Sequence, residues 1–221
     1  MNKKQQYHDL VKKRKDFEFD NGLNNPSKTS FDTNEIEPWA QWQNDLDAEI
    51  LVIGQEFSDL ATYIKCKGKV ERFDHKYEYP SNKNLQALLT IIRKDPGHPN
   101  KPNKGQKLFF TNCVMGLKGG KMSSNFKTKW INQSRENFLQ PLIELIDPKI
   151  IICLGGMATK AVARIYGFKS ESMKNYVNIS PIRKENKLIF PVYHTGGLGI
   201  RNRSIEQQIQ DWEKIKRHLG A

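Results

Sequence analysis

Ala48-Glu49-Ile50-Leu51-Val52-Ile53-Gly54-Gln55-Glu56-Phe57-Ser58-Asp59 is the stretch on which the fold turns. A continuous apolar, β-branched run that breaks at a glycine into polar residues reads as a strand covered on both faces, with its C-terminal end opening on a polar site. Three further runs repeat the pattern: Lys107–Asn112 (KLFFTN), Lys149–Gly155 (KIIICLG) and Leu188–His194 (LIFPVYH). Between them lie segments of helical period. Leu85, Leu88, Leu89 and Ile92 mark Asn82–Lys94. Phe138, Leu142, Leu145 and Ile146 mark Ser134–Ile146. Ile205, Ile209, Trp212 and Leu219 mark Ser204–Leu219, with Ser204 as its N-cap. A shorter amphipathic helix is expected around Trp39, Trp42 and Leu46, with Pro38 in its first turn. Strands alternating with helices predict an α/β fold: a three-layer α/β/α sandwich around a central, mostly parallel four-stranded sheet. Ligands of such sheets bind outside the carboxyl ends of the strands.

Working outward, the 221 residues suit a single domain. The first 35 residues read as a basic, polar N-terminal arm, and 36–221 as the main α/β unit. Met1 to Lys15 carries six Lys/Arg against the single acid Asp9, and Tyr7, Leu10 and Val11 sit at helical spacing. The whole chain has 36 Lys+Arg and 24 Asp+Glu, a formal net charge of +12. Such a surplus attracts polyanions, nucleic acid first among them. Cys66, Cys113 and Cys153 lack paired spacing and make neither a disulfide framework nor a four-cysteine metal site. No apolar run reaches the ~20 residues of a membrane span. A cytoplasmic monomer without a membrane partner, metal or cofactor is the expectation.

The strand ends hold the chemistry. A carboxylate (Glu56), an amide (Asn112), a Leu154-Gly155-Gly156 turn and an imidazole (His194) converge on one rim. Each alone has a plain alternative: a solvated charge, a turn residue, a helix-opening turn, a structural histidine. Their joint placement and order carry the signal.

With these residues in hand, the chain resembles the uracil-DNA glycosylase superfamily over roughly residues 48–220. Gly54-Gln55-Glu56 lies on that superfamily's Gly-Gln-Asp-Pro-Tyr motif, with Glu56 at the acidic position. Phe109-Phe110-Thr111-Asn112 matches its base-reading strand, and Asp147-Pro148-Lys149 through Leu154-Gly155 its third strand. His194 and Leu198 keep the spacing of its last motif. Phe57, Ser58 and Thr195 depart from the usual Pro, Tyr and Pro. They leave open which base is accepted, and Ser58 favours a roomier pocket. The iron–sulfur branch needs four cysteines, and the chain has three.

The resemblance implies a monofunctional DNA glycosylase that flips out a uracil or related base and hydrolyses its N-glycosidic bond. Glu56 would stabilise charge on the sugar and orient water. His194 would stabilise the departing base. Asn112 would read the base edge, and Gln55 belongs to the same motif. Phe57 is the first candidate for base stacking, with Phe73 and Tyr77 as rivals and burial in the core as its competing role. Leu198, between glycines, is a candidate wedge into the DNA stack. Lys118, Lys121 and Ser123, with Arg201 and Arg203, are candidates for phosphate contacts on duplex or single-stranded DNA; for the cations, a solvated charge is the competing role. A glycosylase for a modified or mismatched pyrimidine, in repair or in defence against foreign DNA, stands as one alternative. A non-catalytic DNA-binding module of the same fold stands as another. A nucleotide-binding enzyme using Leu154-Gly155-Gly156 is disfavoured, because no complete phosphate-loop motif is present.

Overall fold

The computed structural model of the chain describes residues 2–20, 22–71, 79–120 and 127–219. In chain order these form α1 (Lys3–Asp16), β1 (Leu23–Asn24), β2 (Ile50–Glu56), α2 (Leu60–Lys65) and α3 (Pro80–Ile91). There follow β3 (Gly97–His98), β4 (Lys101–Pro102), β5 (Leu108–Val114), β6 (Leu117–Lys118), α4 (Thr128–Ser134), α5 (Gln140–Ile146) and β7 (Ile150–Leu154). The chain closes with α6 (Gly156–Tyr166), α7 (Met173–Ile179), β8 (Ile182–Lys184), β9 (Lys187–Val192), α8 (Gly197–Asn202) and α9 (Ile205–His218). None of the described helices is long and apolar enough to cross a membrane.

The α/β layering follows from side-chain alternation along the strands. Leu51 and Ile53 of β2 face one core, with Phe109, Ile151, Ala161 of α6 and Ile143 of α5. Ile50 and Val52 face the other, with Phe110, Ile152, Leu88 of α3 and Trp212 of α9. Strand order in the central sheet is β5-β2-β7-β9-β8. The first four are parallel in register, Val52 opposite Phe110 and Ile152, and Ile152 opposite Phe190. The chain runs from β2 to one side (β5), then returns past β2 to the other (β7, β9). The resulting crevice lies at the carboxyl ends of β2 and β7.

The sheet departs from the expected four strands by one. β8 pairs antiparallel with β9, Ile182 opposite Ile189. Three residues long and partly exposed, with Arg183 and Lys184 in it, β8 has the charged, short form of an edge strand and leaves no apolar run in the sequence. The expected helix at Trp39 and Trp42 shortens to a 3₁₀ turn, Pro38–Gln41, because both indoles are drawn onto Phe110. The helix expected from Ser134 begins earlier, at Thr128, and passes through a π-turn, Arg135–Leu139. Pro141 has no N–H to give the carbonyl of Asn137, and the wider turn relieves its ring. Lys13 of α1 donates to that carbonyl instead.

α1 is held by Arg14, which is fully buried. Its guanidinium donates to Asp32 Oδ1 at 2.7 Å and to the carbonyls of Thr33 and Glu35 at 3.1 and 2.8 Å. Asn25 in turn donates to the carbonyls of Arg14 and Phe17. The chain then enters β1, which pairs with β6, Leu23 opposite Lys118. Breaking a buried ion pair by removing one partner costs about 3–5 kcal/mol. Arg14→Ala is therefore expected to lower the melting temperature by on the order of 10 °C, measured by thermal denaturation. A change within about 0.5 kcal/mol, the range of an ordinary surface substitution, would show that the segment is anchored by its apolar contacts alone.

Candidate active site

One cavity of about 740 Å³ opens at the carboxyl ends of the parallel strands. Gln55, Glu56, Phe57, Asn112, His194 and Leu198 all line it. The parallel register explains the meeting of β2 with β5. Gly54 lies opposite Asn112, and a side chain at Gly54 would put its Cβ 2.3 Å from Asn112 Oδ1. Only glycine leaves room for the amide there.

Glu56 ends β2 with its side chain 6% exposed. Its Oε1 lies 3.1 Å from Lys118 Nζ, and its Oε2 accepts from Gln55 Nε2 at 3.1 Å. Desolvation holds its pKa above the ordinary carboxylate value; the Gln55 hydrogen bond and the Lys118 charge pull it back down. The site thus keeps a carboxylate dry and gives it one fixed cation and one fixed amide donor.

His194 follows β9 at the open rim of the cavity. Its Nδ1 accepts from the Gly196 amide at 2.9 Å, so in the neutral ring the proton sits on Nε2. The surrounding protein lowers its pKa by desolvation and favours that neutral form. The loop beneath is tied to α3: Thr195 Oγ1 donates to the Ser81 carbonyl, and Asn84 Nδ2 donates to the Thr195 carbonyl, both at 2.9 Å. Asn112 is 3% exposed, and its Nδ2 donates to Glu37 Oε2 at 3.0 Å. Burial pushes the Glu37 carboxyl up to about 7, against donors from Trp39 and Asn112 and the charge of Arg14.

Phe57 is partly buried against the core and also borders the cavity. Its ring lines the cavity and meets Tyr63 edge-to-face, centroids 5.9 Å apart. Leu198 stands in α8, 73% exposed, and Arg201 on the same helix is exposed. Two expected phosphate contacts are corrected. Lys118 is 1% exposed and faces Glu56, because its backbone is clamped between Leu23 of β1 and Asp59. Arg203 is held on Asp211, its Nη2 donating to Oδ1 at 2.7 Å and its Nε to Oδ2, and it stacks over Tyr193. Lys121 and Ser123 lie outside the described residues, as do Phe73 and Tyr77.

Sequence reasoning missed Glu37, and the only signal was an acid directly before Pro38-Trp39. It also missed Met173, Cys66 and Tyr79 in the cavity wall. Each stands at a helix end, Cys66 after α2, Tyr79 before α3 and Met173 at the start of α7, where the sequence carries no motif. Among the described residues no group of histidine, cysteine and acidic side chains is placed to hold a metal ion.

A family model described as the uracil DNA glycosylase superfamily matches residues 40–216. The chain is also 30% identical over 125 residues to the transcription termination/antitermination protein NusA of Bacillus subtilis (strain 168). That match takes in 57% of this chain and 31% of the relative, so the chain spans under a third of that protein's length.

The pairing with Lys118 has a measurable consequence. Lys118→Met leaves Glu56 desolvated without its cation, so its pKa moves further up and the carboxylate becomes protonated at higher pH. The check is a carbon-13 titration of the Glu56 carboxyl in wild type and variant, with folding followed by circular dichroism. A midpoint that stays put in folded Lys118→Met would show that Gln55 alone holds the charge.

Proposed function

The chain belongs to the uracil-DNA glycosylase superfamily, and from that premise we propose that it hydrolyses the N-glycosidic bond of a uracil or related base in DNA, leaving an abasic site. The observation that carries this reading is the convergence of Glu56, Asn112 and His194 on one cavity with their hydrogen bonds already assigned. Departure of the base leaves positive charge on the sugar and negative charge on the base. Glu56, whose charge Lys118 and Gln55 stabilise against the cost of burial, faces the first. As water adds to C1′ the carboxylate takes its proton, and the electrons of the C1′–N bond leave with the base. His194, neutral with its proton on Nε2, supplies a donor to the anionic base; a preorganised donor of this kind contributes ~3–4 kcal/mol.

Phe57 offers a stacking face, and Asn112 an amide edge for hydrogen bonding to the base. Duplex DNA must first release the base, at a cost of a few kcal/mol. The exposed Leu198 is suited to fill the vacated stack. The net charge of +12 supports binding through phosphates. With Lys118 buried against Glu56 and Arg203 held on Asp211, Arg201 is, among the described residues, the named cation left for that role.

A second reading is favoured by the cavity wall. Ser58 is buried, and its hydroxyl lies on the Asp59 carbonyl at 3.0 Å. With Gly155 and Gly156 also in the wall, this leaves room beyond a bare pyrimidine. These small residues on the wall support a base enlarged by a substituent.

The test is a panel of single- and double-stranded oligonucleotides carrying uracil, mismatched thymine and substituted pyrimidines, scored as alkali-labile sites. Glu56→Gln is expected to slow single-turnover excision by ~10²–10⁴-fold and to keep DNA affinity, because the charge acts on the transition state. Unchanged turnover would remove Glu56 from the mechanism. Absence of excision from every substrate in the panel by wild type would favour a binding module. Leu198→Ala should lower duplex excision roughly tenfold, the equivalent of about 1.4 kcal/mol of stack-opening free energy. Single-strand excision should be spared. Equal losses on both substrates would mean that Leu198 only packs its loop.

A further inference from the structure

Glu37 belongs to no motif, and its placement is hard to explain as packing. It is 1% exposed and lies behind Asn112, beyond the cavity wall formed by Trp39. Its Oε2 accepts twice, from the Trp39 amide and from Asn112 Nδ2, each at 3.0 Å. Its Oε1 is buried and has no hydrogen-bond partner among the described residues. A buried carboxyl with an unsatisfied oxygen is destabilising on its own account. What it does is fix the direction of an amide.

A side-chain amide can be turned about its last bond so that its oxygen and nitrogen exchange places, and nothing in its shape prefers one orientation. Here the surroundings do. With Nδ2 toward Glu37, the amide donates to Oε2. Turned over, Asn112 Oδ1 would face Oε2, acceptor against acceptor. The Trp39 amide already donates to Oε2, so a proton carried by the carboxyl sits on Oε1, and Oε2 stays an acceptor in both protonation states. Gly54 completes the clamp, leaving Oδ1 a place that any Cβ would fill. One N–H of Asn112 is thus taken by Glu37; its second N–H and its carbonyl remain, in a fixed order, for a ligand.

We propose that Glu37 is a positioning residue which sets the order of donor and acceptor on Asn112, so that the pocket admits one Watson–Crick edge pattern, keto or amino, and rejects the other. The inference rests on the reading of Asn112 as the base-contacting amide. On that reading the accepted pattern is the keto one, an acceptor at position 4 beside a donor at position 3, as in uracil and its 5-substituted forms. A cytosine-type edge has the opposite order and needs the turned amide. The substrate class is then set by a residue that touches no substrate.

Glu37→Leu and Glu37→Gln separate the acceptor from the charge. Gln keeps a carbonyl oxygen for Trp39 and Asn112; Leu keeps the volume alone. Uracil and cytosine oligonucleotides are compared by single-turnover kcat/KM. Wild type and Glu37→Gln are expected to discriminate alike, and Glu37→Leu to lose discrimination by ~10–100-fold. The asparagine side-chain amide signals of all three, assigned with Asn112→Ala, give a second readout independent of turnover and also report folding. The Asn112 pair should shift in Glu37→Leu and stay in Glu37→Gln.

Unchanged discrimination in Glu37→Leu overturns the proposal, as does a Glu37→Gln that behaves like Glu37→Leu, which would make charge the operative feature. If wild type excises nothing, the glycosylase reading fails. The amide signals then decide the clamp by themselves: an Asn112 pair unmoved by Glu37→Leu overturns it.

Discussion

A carboxylate in a dry crevice stays charged only if something nearby stabilises the charge, and the arrangement of this chain follows from how that is done for Glu56. Its partner, Lys118, is itself almost fully buried, and a buried lysine is as poorly solvated as the acid it faces. The pair persists because the backbone leaves Lys118 nowhere else to go. β6 is pinned on one edge by β1 and on the other by Asp59. β1 is positioned by the segment that Arg14 and Asn25 lock against α1. The basic N-terminal segment, distant in sequence from every motif, thereby sets the cation beside the carboxylate at the end of β2.

This linkage also separates what the sequence discloses from what it conceals. The four parallel strands were legible because an apolar run with both faces covered is a local property, written in consecutive residues. The convergence of Glu56, Asn112 and His194 was legible for a related reason: strands of a parallel sheet end on one rim, so three chain positions imply one place. Lys118 was misread because a lysine beside two glycines has the local signature of an open loop. Its burial is decided by Leu23 and Asp59, neither of which marks it in the sequence. Arg203 was misread likewise, since its carboxylate partner Asp211 lies two turns into the next helix. Glu37 was invisible, since an acid before Pro-Trp looks like the cap that it also is.

The site has two buried acids, Glu56 in the cavity wall and Glu37 behind it, which differ in their partners. Glu56 has a lysine at 3.1 Å. Glu37 has only hydrogen-bond donors and the more distant Arg14, and burial carries it to about 7. Burial raises both carboxyls, and only Glu56 has an adjacent cation to oppose the rise. In the proposed mechanism the charged one faces the sugar. The other, charged or neutral, keeps the same acceptor oxygen toward Asn112. His194 adds a third solution: desolvation and the Gly196 amide make it a neutral donor.

The last coupling runs through backbone alone. α8, which carries Leu198, begins so close to His194 that a Cβ at Gly199 would stand 1.7 Å from the His194 carbonyl oxygen. Arg203, just past α8, is fastened to Asp211 in α9, and Gln208 of α9 donates to the Arg203 carbonyl at 3.1 Å. The exposed leucine therefore does not sit on a free loop. It is held at a set distance from the imidazole by a glycine contact on one side and an ion pair on the other. The backbone of α8 is packed directly on the His194 carbonyl. On the proposed reading, a wedge that enters the DNA stack and a histidine that meets the extruded base stand on adjoining, closely packed backbone. Filling the stack and presenting the donor then occur together, which is what a reaction on a flipped base requires.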